Sequence, residues 1–177
     1  MRAMKRIVAV LVIFGITFAI LLLATQARRR AAATRRYDRA VAAYMMADVT
    51  EARQRFLDVA RDFEGLSVAA LAELKVAFMA YDDGAVVDAK AQFEQFLQRH
   101  PEPVVHTPES PRRDYFGNLR IVATYFLGRI AEDRGAPEAA RAWYERTLEE
   151  VDRNPGNIII ASTRDRLRLL ADASEMK

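Results

Sequence analysis

The chain has 177 residues, 51% of them apolar and 29% charged, with no cysteine, which suits one domain plus an appended segment and excludes disulfide frameworks, thiolate metal sites and cysteine nucleophiles. The net charge of +3 hides a segregation: Arg2, Lys5, Arg6, Arg28, Arg29, Arg30, Arg35 and Arg36 precede Tyr37, while 19 basic and 24 acidic residues make up the rest. The main body is therefore acidic, which argues against nucleic acid as a partner, because phosphate contacts require a concentrated basic face.

The first predicted element is Ile7 to Ala27, which carries no charged residue over 21 positions. As a helix it would be about 31 Å long, enough for a hydrocarbon core of roughly 30 Å, so a transmembrane anchor is expected over residues 1–27. A cleaved signal peptide competes with this reading, but its apolar region normally covers only about 7 to 15 residues. Orientation pulls two ways. Five basic residues after the run against three before it would leave the large domain in the cytoplasm, whereas a short basic N-terminus ahead of one apolar run has the form of a bacterial signal anchor. The expectation adopted is a single-pass inner-membrane protein with a periplasmic domain, the cytoplasmic orientation being the alternative. Arg28, Arg29, Arg30, Arg35 and Arg36, in a stalk over 28–36, would then face lipid headgroups or simply flank the helix.

Beyond the stalk the sequence favours helix, with few Gly and Pro and many Ala, Arg, Leu and Glu. The stretch 28–48 lacks both breakers, so the first helix is predicted to run on without interruption. Tyr37, Ala40, Val41, Tyr44 and Met45 make an apolar stripe at spacings of three and four. Asp48 reads as the N-cap of a second helix that buries Ala52, Phe56, Leu57, Val59, Ala60 and Phe63. Gly65 ends this hairpin and Ser67 is placed to cap the next helix, with Leu71, Leu74, Ala77, Phe78 and Tyr81 on its apolar face. Gly84 makes the following turn, and Ala89 and Phe93 lie on the return helix.

Residues 101–113 hold four prolines and cannot be helix throughout. This loop reads either as a recognition segment or as an insertion without a ligand. A third hairpin is expected from about Asp114. Tyr125, Leu127, Ile130 and Ala131 recur on its first limb, Ala139, Ala140, Trp143, Tyr144 and Leu148 on its second, with Gly135 and Pro137 at the turn. A last helix over 157–173 would cover the end of the stack.

These hairpins resemble tetratricopeptide repeats, units of roughly 34 residues made of two antiparallel helices. The resemblance rests on Leu127 with Gly128 as the large and small pair, on Ala140 with Tyr144, on Ala52 with Phe56, and on Gly84, Ala89, Phe93 and Pro101. It implies an all-α chain: the N-terminal transmembrane helix, then an α-solenoid of three repeats over about 37–64, 67–101 and 114–153, then the capping helix. In layout the chain is similar to small bacterial repeat proteins with one N-terminal anchor, including periplasmic chaperone partners of the Sec translocon.

Chemical motifs are sparse. His100 and His106 are the only histidines, and Asp82–Asp83 and Glu149–Glu150 are adjacent carboxylates that point to different helix faces or into solvent. No phosphate loop, nucleophile elbow or HExxH occurs, so no enzyme activity, metal or cofactor is expected. Trp143 and the tyrosines read as core more readily than as interface anchors. The expected function is a membrane-anchored scaffold binding another protein or complex in a bacterial envelope assembly, with an envelope accessory protein holding an apolar or lipid ligand as the alternative. Binding is expected on the inner face of the first limbs, through Glu73, Lys75, Arg120, Arg129 and Glu132.

Overall fold

The computed structural model describes residues 2–105, 118–150 and 158–175, with side chains described from 14 onward and, in the last stretch, over 159–173. Within them lie seven helices: α1 (Arg2–Met45), α2 (Val49–Asp62), α3 (Ser67–Asp82), α4 (Val86–Arg99), α5 (Leu119–Asp133), α6 (Pro137–Glu149) and α7 (Ile158–Glu175). Each helix packs on the next, and α1 meets α3, α3 meets α5 and α5 meets α7. The body is thus an all-helical, solenoid-like stack of hairpins. The tail of the proline-rich segment, Tyr115 and Phe116, His106 and the stretch 151–157 fall outside the described residues.

The membrane anchor is corrected here. Among the described residues no helix is long and apolar enough to cross a membrane. The transmembrane helix, the signal anchor and the inner-membrane location, in either orientation, are therefore set aside. Helix α1 does run unbroken from Arg2 to Met45. Its part from Phe14 to Leu23 leaves large apolar side chains exposed, while Ala33, Tyr37, Ala40 and Ala43 belong to the core.

Turn chemistry explains the hairpins. Gly65, Gly84 and Gly135 each have a positive φ just beyond a helix end, where a side chain would be strained. The turn from α1 to α2 has no glycine, and Ala47 takes the left-handed conformation at φ 61° instead. Asp48 Oδ1 then accepts from the Glu51 N–H at 3.0 Å and caps α2, as expected from sequence. Ser67 departs from expectation: Leu66 is the N-cap of α3, and no side-chain cap forms. Pro137 opens α6, where its missing N–H costs no intrahelical bond.

The two kinds of limb are buried differently. α3 buries Val68, Ala69, Ala70, Leu71, Ala72, Leu74, Val76, Ala77, Met79 and Ala80, and α5 buries every residue from Leu119 to Tyr125. α2, α4 and α6 bury only narrow stripes, Ala52, Phe56 and Val59 on the first and Ala140, Tyr144 and Thr147 on the last. Between hairpins, Phe126 meets Phe78 at 4.5 Å edge-on, Phe93 at 5.7 Å and Tyr81 at 5.5 Å between ring centroids. Geometries of this kind contribute beyond the area they bury.

Gly128 is where α5 and α6 approach most demandingly. A Cβ there would lie 2.6 Å from Tyr144 Cδ1 and closer still to Cε1, and Tyr144 is fully buried with no room to swing away. Gly128→Ala should therefore destabilise the fold by about 1–3 kcal/mol, the usual range for overpacking a well-packed core. A urea titration checks this, and an unchanged midpoint would mean that the two helices are not held so close.

Candidate functional site

The described residues enclose a groove of about 770 Å³ between α2 and α4, floored by α3. Ala69, Ala70, Glu73 and Val76 rise from α3; Arg53, Leu57, Ala60 and Arg61 come from α2; Gln92, Gln95 and Arg99 come from α4. The α2–α3 turn and His100 with Val104 border one end. The geometry follows from the fold: α2 and α4 both pack on α3 without meeting each other, so a channel remains above it. Ala69 and Ala70, small and buried, keep the floor low.

Charges surround an apolar interior. Glu73 receives Arg99 at 3.4 Å and His100 Nε2 at 3.2 Å, and its side chain is only 14% exposed. Arg53 pairs with Asp83 at 2.7 Å and Arg61 with Asp58 at 3.0 Å, both in exposed positions. Asp62, bound by Arg61 and by Arg36, has its carboxyl held below the ordinary carboxylate value, the Arg61 hydrogen bond being the main cause. Gln92 Oε1 is buried and has no hydrogen-bond partner among the described residues.

Of the residues expected to bind a partner, the groove takes in Glu73 alone. Lys75 Nζ lies 5.9 Å from the Phe78 ring. Arg120 is buried and acts internally: Nε and Nη2 donate to Glu150 Oε1 at 2.9 and 2.7 Å, and Nη1 donates to the Leu97 carbonyl at 3.3 Å and to that of His100. It thereby closes the C-terminal end of α4 and ties it to the end of α6. Glu132 Oε2 accepts from the Tyr144 hydroxyl at 2.8 Å, and its Oε1 meets Arg166 Nη1 at 2.8 Å, joining α5, α6 and α7. Arg129 is half-buried, with an Nε that lacks a hydrogen-bond partner among the described residues.

The physical reason is the burial of the first limbs, which leaves α3 and α5 little free surface. In the stalk, Arg29 donates to the Glu64 carbonyl at 3.2 Å, while Arg36 binds Asp62 at 2.7 Å and lies over the Phe63 ring at 5.3 Å. Arg28, Arg30 and Arg35 are exposed. No group of three or more metal-ligating side chains occurs among the described residues.

Two outcomes are expected from the polar fastenings. Arg120→Ala strands Glu150 and the last carbonyls of α4, so it should cost about 3–5 kcal/mol, as breaking a buried pair usually does, readable as a lower urea midpoint. Tyr144 has its phenol pushed above the ordinary value by burial first and by the Glu132 hydrogen bond second. A raised value means that the stabilisation is complete below pH of about 10 and is lost as pH rises beyond it, because the unfolded chain ionises first. Between neutral and strongly alkaline pH the urea midpoint should thus fall further for the native chain than for Tyr144→Phe, and parallel falls would refute it. No protein-family model and no curated protein matches the chain.

Proposed function

We propose that this protein is a non-catalytic scaffold of tetratricopeptide-type hairpins that holds a segment of another protein in the groove between α2 and α4. The observation that carries this reading is the groove itself: an open channel of about 770 Å³, within the roughly 300–1,000 Å³ of typical ligand clefts, with an apolar floor and charged walls. Leu57, 46% exposed, stands in it as an uncovered apolar anchor. Peptide segments present alternating apolar and polar groups and suit such a lining, whereas a lipid or other apolar ligand would favour a closed, uncharged pocket.

Support for the family comes from the small and aromatic positions. Ala52 with Phe56, Ala89 with Phe93, and Ala140 with Tyr144 are all essentially fully buried, each pair one helical turn apart on a second limb. A small residue lets two backbones approach, and the aromatic fills the gap beside it, Phe56 against Tyr37 and Tyr144 against Gly128 within their hairpins, Phe93 against Phe126 of the next.

A photo-crosslinking residue at Gln95, exposed on the groove wall, should give protein adducts, while the same residue at Glu138, exposed on α6 away from it, should not. Leu57→Glu should abolish the Gln95 adducts. Adducts that are equal at both positions, or indifferent to Leu57, would sink the assignment of the groove.

A further inference from the structure

We infer that the segment held in the α2–α4 groove is an apolar stretch bearing carboxylates, whose acidic side chains meet Arg53, Arg61 and Arg99. This rests on the groove being a protein-binding site. The first argument is charge. Glu73, the acid in the floor, is largely covered and already engaged by Arg99 and His100. The arginine side chains remain accessible, Arg53 at 37%, Arg99 at 50% and Arg61 at 71%. Glu64 is the one exposed acid of the lining, so three guanidinium groups stand against a single carboxylate at the accessible rim and a ligand entering the channel meets a net positive edge.

This basic lip is local, because the residues from Tyr37 onward carry 24 acids against 19 bases. The arginines' present partners do not block it. Arg53 and Arg61 sit in exposed ion pairs with Asp83 and Asp58, and pairs of that kind exchange readily with competing carboxylates. Arginine also offers a planar fork that takes a carboxylate by two parallel hydrogen bonds.

The second argument is the surface between those arginines. Leu57, Ala69, Ala70 and Val76 line it and receive apolar side chains between the acids. Together the two define the partner chemistry: a peptide with alternating apolar and acidic residues.

The test uses the full chain and three capped fluorescent peptides of equal length, alternating leucine with glutamate, glutamine or lysine, followed by fluorescence anisotropy. The glutamate peptide should bind at least about ten-fold tighter than the glutamine peptide, with the lysine peptide weakest, and its advantage should shrink as salt shortens the screening length below roughly 10 Å. Arg61→Glu, at the most exposed of the three arginines, should remove most of that advantage, and Arg53→Glu serves as the second variant. Equal binding of the glutamine or lysine peptide overturns the acidic preference while leaving the groove as a peptide site. Absence of binding by all three removes the groove reading as well. Unchanged affinity in both arginine variants overturns the role given to those residues.

Discussion

The stack depends on first limbs that are apolar on nearly every side and so cannot stand in water alone. α3 buries ten of its residues and α5 another ten, and each of them is covered by four neighbouring helices. A helix of that kind is stable only inside a body. Phe126 shows how the requirement is met: its ring is shared between Phe78 on α3, Phe93 on α4 and Tyr125 on its own helix, so successive hairpins are keyed to each other through one side chain. Burying an aromatic ring of this size typically contributes a few kcal/mol, and each such contribution needs the adjacent hairpin in place. Folding of the units is accordingly coupled along the stack. α7 ends it by covering α5 and α6 with Ile159 and Ile160, and Tyr125 reaches across to Ser162 at 2.8 Å.

Polar side chains fasten this body more than they decorate it. Arg120, Glu132 and Glu150 look in isolation like surface charges available for recognition. In the fold they satisfy the ends of helices and bridge three elements, where a missing partner would leave a buried charge or carbonyl exposed to nothing. Their effect is to fix where α4, α6 and α7 stop relative to α5. By contrast most of the charges around the α2–α4 groove lie at its accessible walls.

Much of the architecture is legible in the sequence because it is written in local rules. Gly65, Gly84, Gly135 and Pro137 mark turns through backbone geometry, and Gly128 and Tyr144 stand out as a small and a large position, although only the fold shows that they meet within one hairpin. The first turn was harder to place since Ala47 does a glycine's work. Helical periodicity separates apolar from polar faces, but it does not tell which polar residue a later helix will claim. That is why Arg120 and Glu132 read as binding residues and proved to be fastenings, and why Phe126, beside the more regular Tyr125 and Leu127, gave no signal of its central position. The binding surface was expected on the first limbs; their burial leaves the accessible channel between the second limbs, and of the five residues expected to bind, the channel includes Glu73 only. A count of uncharged residues likewise suggested a membrane span that the described helix does not provide.

Val105 and Asn118 form an isolated antiparallel bridge, and the Leu119 N–H donates to the Val104 carbonyl at 3.0 Å. The two feet of the intervening connection are thereby clamped side by side, on the flank of the channel where Val104 stands. Lengthening a connection whose ends are already joined adds little closure entropy, of the order of 0.6 kcal/mol per doubling. The chain thus carries a natural splice point: foreign sequence grafted between those feet would hang beside the groove without prising the helices apart, so evolution or an engineer can vary what stands at the channel's mouth independently of the scaffold that forms it.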